Sequence, residues 1–114
     1  MVTIEKLKDF GADTEEGLAR CYGNEGLYIR LVNMLPKEGN FDNLKTSIDA
    51  GDLDAAFDAA HSLKGVLGNL SLTPMYNLSV EITELLRSRK QADYDPLVNE
   101  LLRMRDELAA MCES

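Results

Sequence analysis

The chain has 114 residues and is poor in the side chains on which most metal and redox chemistry rests, with one histidine and two cysteines. A di-metal carboxylate bundle draws Glu-x-x-His pairs from facing helices, and His61 alone cannot supply two. Cys21 and Cys112 lie near opposite ends without a motif around either. They are too few for a disulfide framework or, with one histidine, for a zinc ligand set, and they read as reduced thiols. Cations are scarce too: 12 Lys and Arg against 20 Asp and Glu leave a formal charge of −8. That balance argues against nucleic acid and against an anionic membrane surface, since both need clustered basic side chains. No apolar run approaches the length of a membrane span, and the amino terminus MVTIEKLKDF lacks the core of a signal peptide. The protein is expected to be soluble and cytoplasmic.

What is present is ordinary for a globular chain: 45% hydrophobic and 28% charged residues, enough for one core in a single domain over 1–114. The three prolines fall where helices begin or end. Thr73-Pro74 and Asp95-Pro96 pair an N-cap residue with proline at the first helical position, and Pro36 closes an earlier apolar stretch. Asp13-Thr-Glu-Glu16 has the form of a capping box, and Gly51-Asp52 ends one helix and caps the next. Apolar residues recur at helical spacing in five stripes. They are Leu27, Leu31 and Met34; Phe41, Leu44 and Ile48; Ala56, Ala60, Leu63, Leu67 and Leu70; Met75, Leu78, Ile82 and Leu85; and Leu97, Leu101, Met104, Leu108 and Met111. Sustained alternation and β-branched runs are missing, so the chain reads as all-α. Helices are expected at roughly 3–10, 13–21, 24–36, 40–50, 52–70, 74–90 and 95–112. Short connections from residue 40 onward make 40–112 an antiparallel up-down-up-down four-helix bundle, with the N-terminal helices of 1–39 capping it.

The segment Asp52 to Leu70 bears the chemistry. His61 is followed one and two turns later by Gly65 and Gly68, and on a wheel of about 100° per residue both lie within roughly 40° of it. The apolar stripe centres roughly 140° away, so the imidazole faces water. Two mid-helix glycines cost about 2 kcal/mol relative to alanine, and they clear the surface beside the ring. Lys64 shares this face, as do Asp54, Asp58 and Phe57. An imidazole is a nucleophile near neutral pH, and a lysine one turn on can stabilise the charge of an arriving phosphoryl group. These features suggest phosphorylation of His61 by a docked protein. The plainer alternatives are a structural histidine under a neighbouring helix, or a surface histidine whose glycines serve close helix packing. Phe57 is either a core-edge aromatic or an apolar contact for a partner. Asp54 and Asp58 are either a solvated face or a charge filter for partner choice.

Ala60-His61-Ser62-Leu63-Lys64-Gly65-Val66-Leu67-Gly68-Asn69-Leu70 resembles the signature of histidine-containing phosphotransfer (HPt) domains, with Lys at three, Gly at four and a small residue at seven after the histidine. The resemblance extends to Asp-Thr-Glu-Glu-Gly-Leu-Ala-Arg at 13–20, to Gly51-Asp52 and to the helix after Pro74. It implies that His61 accepts a phosphoryl group at Nε2 from the aspartyl phosphate of a response-regulator receiver domain and passes it to another receiver. On the same resemblance Lys64 is the electrostatic helper, and Gly65 and Gly68 make room for the partner. Many members orient the histidine with an amide or carboxylate on the next helix, and by spacing that place falls at or near Thr83, beside Glu81 and Glu84. The carrier so implied needs no cofactor of its own, the Mg²⁺ belonging to the receiver. Its partners are receivers and a hybrid sensor kinase, and it acts as a monomer. No nucleotide-binding loop is present, so the chain should not phosphorylate itself. Met1 opens the chain and the domain fills it, which favours a stand-alone carrier or a piece cut from a larger protein. The alternative is a non-catalytic helical adaptor whose groove binds a partner helix.

Overall fold

A computed structural model describes residues 1–89 and 92–113. Among these residues the secondary structure is entirely helical: α1 (Ile4–Phe10), α2 (Thr14–Arg20), α3 (Glu25–Met34), a 3-10 turn at Leu35–Lys37, α4 (Asn40–Asp49), α5 (Leu53–Asn69), α6 (Thr73–Arg87) and α7 (Asp95–Glu113). The starts of α2 and α5 follow the expected chemistry, with Asp13 Oδ1 accepting from the Glu16 amide and Asp52 Oδ1 from the Ala55 amide, each at 3.1 Å. Only half of the capping box forms, because the Glu16 carboxylate turns forward to Arg20 at 3.1 Å. Gly51 takes a left-handed φ of 72° at the α4–α5 junction, a conformation that glycine adopts without a Cβ clash. Thr73 does not cap α6. It is the first helical residue after Leu72, and its hydroxyl donates back to the Ser71 carbonyl at 3.5 Å. Helix α6 ends at Arg87, short of the expected 90, and Lys90 lies outside the described residues.

α4 packs on α5, α5 on α6, α6 on α7, and α7 returns to α4. The contacts run in opposite directions along each pair. Arg87 lies over Phe57 while Tyr76 meets Gly68, so α5 and α6 are antiparallel. Arg105 pairs with Asp42 at 3.0 Å and Lys45 reaches Asp95 at 3.9 Å, so α4 and α7 are antiparallel too. This is the expected four-helix bundle. Its interior is filled by Phe41, Leu44, Leu63, Leu67, Met75, Ile82, Leu86, Leu101 and Leu108, all fully buried. Each such leucine stabilises the fold by roughly 1.5–3 kcal/mol.

The N-terminal helices cap the end at which α5 turns into α6. The Asp13 amide donates to the Ser71 carbonyl at 2.9 Å. The buried Tyr28 hydroxyl donates to the Leu70 carbonyl at 2.8 Å. Helix α3 buries Tyr28, Ile29 and Val32, not the expected stripe: Leu31 is 37% and Met34 61% exposed, and Leu27 is half-buried. Both stripes have helical spacing, and the one holding the tyrosine wins because its hydroxyl finds a carbonyl to bond inside the core.

Candidate functional site

His61 sits on the outer face of α5, exposed, with Ala56, Ala60, Leu63 and Leu67 buried behind it. Its ring lies parallel to that of Phe57 one turn earlier, with centroids 5.9 Å apart and planes at 15°. Among the described residues neither imidazole nitrogen has a hydrogen-bond partner. Thr83 does not orient it. That side chain is fully buried, and its hydroxyl donates to the Ser79 carbonyl of its own helix at 2.6 Å. Glu84 is taken by Arg87 at 3.3 Å, and Glu81 is exposed on α6.

Lys64, half-buried, lines a groove of about 470 Å³ with Gly65, Gly68 and Asn69. The far wall of this groove comes from Asp13, Glu16 and Arg20 on the α2 side, and its end from Tyr76 and Asn77 on α6. The two glycines differ in what they do here. A Cβ on Gly65 would meet nothing within 4 Å, so the surface one turn beyond His61 is open. A Cβ on Gly68 would stand 3.1 and 3.3 Å from Tyr76 ring carbons, so this glycine seats an aromatic ring from the neighbouring helix. Close helix packing therefore accounts for Gly68, and cleared surface for Gly65.

Phe57 is half-buried at the edge of the core. The guanidinium groups of Arg87 and Arg89 lie over its ring at 5.4 and 4.7 Å from the centroid. Arg89 Nε also donates to Asp54 Oδ1 at 2.7 Å, and one terminal nitrogen of Arg89 donates to the Leu86 carbonyl at 2.6 Å. Asp54 is thus tied up, while Asp58 stays exposed beside Asn43 and Ser47 of α4. Sequence reasoning missed both arginines. Arg89 reaches back from a left-handed backbone, φ 54°, just past the end of α6, and nothing in the residue type announces that.

Deeper in the molecule, burial first, then the Cys21 thiol and the Asp13 carboxylate, push the Tyr28 hydroxyl from its usual 10 to about 12. Its ring lies against Gly17, where a Cβ would come within 2.4 Å of it. Gly17 in the middle of α2 was the available signal for that approach.

No described helix is long and apolar enough to cross a membrane. No curated protein and no solved structure matches the chain. The family model of the Hpt domain matches residues 38–113, which span α4 to α7 and include His61, Lys64, Gly65 and Gly68, and leave the N-terminal helices outside. With most of its length under that match, the chain belongs to the Hpt domain family.

Proposed function

We propose that this protein is a phosphoryl carrier in a two-component phosphorelay, with His61 as the phosphoacceptor. The observation that carries the reading is an exposed imidazole, without a hydrogen-bond partner among the described residues, on the Hpt-matched α5, with open surface over Gly65 one turn away. The lone pair of Nε2 attacks the phosphorus of a receiver's aspartyl phosphate. The N–P bond forms as the P–O bond breaks, and the aspartate leaves as carboxylate. Return of the phosphoryl group to a second receiver reverses these steps. Lys64 stands one turn along α5 from His61, at the edge of the adjoining groove, where its ammonium offsets charge on the phosphoryl oxygens. Mg²⁺ for the transfer sits in the receiver's acidic pocket. The partners are receiver domains, including that of a hybrid sensor kinase, and the carrier works as a cytoplasmic monomer.

The test is transfer of label. A receiver domain is charged with a radiolabelled small phosphodonor and mixed with the purified protein. Acid-labile, base-stable phosphate on the wild type, absent from His61→Gln, is the expected result. Absence of label after mixing with each receiver of a broad panel would overturn the reading.

A further inference from the structure

We propose that Phe57 is a positioning residue for His61, and that Arg89, tethered by Asp54, holds Phe57 in place. The purpose of this hold rests on the carrier reading. The contact itself stands on geometry. Side chains on α6 give the imidazole no polar support among the described residues, since Thr83 bonds Ser79 and Glu84 bonds Arg87. Phe57 supplies a different support, a ring 5.9 Å away and within 15° of parallel, inside the range of offset aromatic stacking. An exposed side chain without a bonded neighbour samples its rotamers, and stacking removes part of that freedom while leaving both nitrogens unbonded. The ring then meets an incoming phosphorus already oriented, which is the condition for efficient transfer between docked groups.

The second half of the device is the cover on Phe57. Arg89 adopts a left-handed backbone, φ 54°, a conformation that favours glycine. Its guanidinium is nevertheless fixed from three sides, by Asp54 at 2.7 Å, by the Leu86 carbonyl at 2.6 Å and by the Phe57 ring at 4.7 Å. Arg87 covers the same ring at 5.4 Å. An aromatic at the core edge needs only apolar neighbours. Two cations over one ring, with one of them folded back across the end of α6, fix the plane on which the imidazole rests.

Two readouts test this. In the unphosphorylated protein, proton NMR of the single histidine should show ring protons shifted upfield of those in a random-coil peptide by the Phe57 ring current. Phe57→Leu should abolish the shift, and Arg89→Gly, which suits the left-handed backbone, should reduce it. In label transfer from a receiver, Phe57→Leu should be slower by about tenfold and Phe57→Tyr should restore the rate, because orientation is what the ring supplies. Circular dichroism melts identify variants that fail to fold, and Arg89→Gly keeps the test open should Phe57→Leu do so. No upfield shift in the wild type, or a wild-type rate in folded Phe57→Leu, overturns the proposal and leaves the carrier reading standing. Failure of the wild type itself to take label overturns the carrier reading, and the NMR shift alone then upholds or overturns the hold on the ring.

Discussion

Replacing Gly65 with alanine should make the protein more stable, and a longer side chain there should make it less active. The mid-helix glycine costs about 1 kcal/mol relative to alanine. The new Cβ meets nothing within 4 Å, so no packing penalty offsets that gain. For a chain of 114 residues the entropy of unfolding is about 0.24 kcal/mol per kelvin, so the thermal midpoint should rise by about 4 °C. Gly68→Ala has the same helix term, but its Cβ would stand 3.1 Å from the half-buried Tyr76 ring, which must move by a few tenths of an ångström. Its midpoint should therefore rise less than that of Gly65→Ala. Transfer rates test the open surface directly. Lengthening the side chain in Gly65→Gln places bulk on the open surface beside His61, and transfer from a receiver should fall at least about tenfold, equivalent to 1.4 kcal/mol of barrier. Calorimetry on the purified variants and rapid-quench transfer measure both quantities. A lower midpoint for Gly65→Ala would refute the open-surface argument. Undiminished transfer by folded Gly65→Gln would refute the role of that surface in docking.

The α2–α3 anchor gives two further expectations. Gly17→Ala should destabilise the protein, because its Cβ would fall 2.4 Å from the fully buried Tyr28 ring. Overpacking of about 1–3 kcal/mol outweighs the helix gain of about 1 kcal/mol, and urea titration should show an earlier midpoint. Tyr28 also makes stability fall in alkali. With its folded-state pKa raised from 10 to about 12, its contribution is intact below 10 and is lost as the pH climbs through about 12, to the extent of about 3 kcal/mol. Tyr28→Phe should lose about 1 kcal/mol at neutral pH with the Leu70 hydrogen bond and show a shallower alkaline decline in pH-dependent denaturation. An unchanged alkaline decline would count against burial of that hydroxyl.

The bundle and the exposed face of α5 were legible because one stripe, Ala56, Ala60, Leu63, Leu67 and Leu70, leaves the opposite face no apolar competitor save Phe57. Helix α3 was harder. Leu27, Leu31 and Met34 and the set Tyr28, Ile29, Val32 and Leu35 are both spaced for burial, and only the neighbouring Leu70 carbonyl and Gly17 decide between them. The site divides along the same line. His61, Lys64 and Gly65 share a face that helical geometry alone fixes. The partner of Gly68 and the grip of Arg89 on Phe57 arise between helices, from register and a left-handed residue that periodicity does not encode. Thr83 illustrates the remainder: spacing located its height along α6, but the hydroxyl's own helix offered a closer acceptor.

The bonds that Tyr28 and Asp13 make from the N-terminal helices to the bundle both end on main-chain carbonyls, those of Leu70 and Ser71. What Tyr28 and Asp13 recognise is accordingly the path of the chain and not the identity of the residues along it. The two bonds therefore persist as long as the corner keeps its left-handed step at Ser71, whatever side chains the core selects at Leu70 and Leu72. The cap is inherited with the shape of the turn.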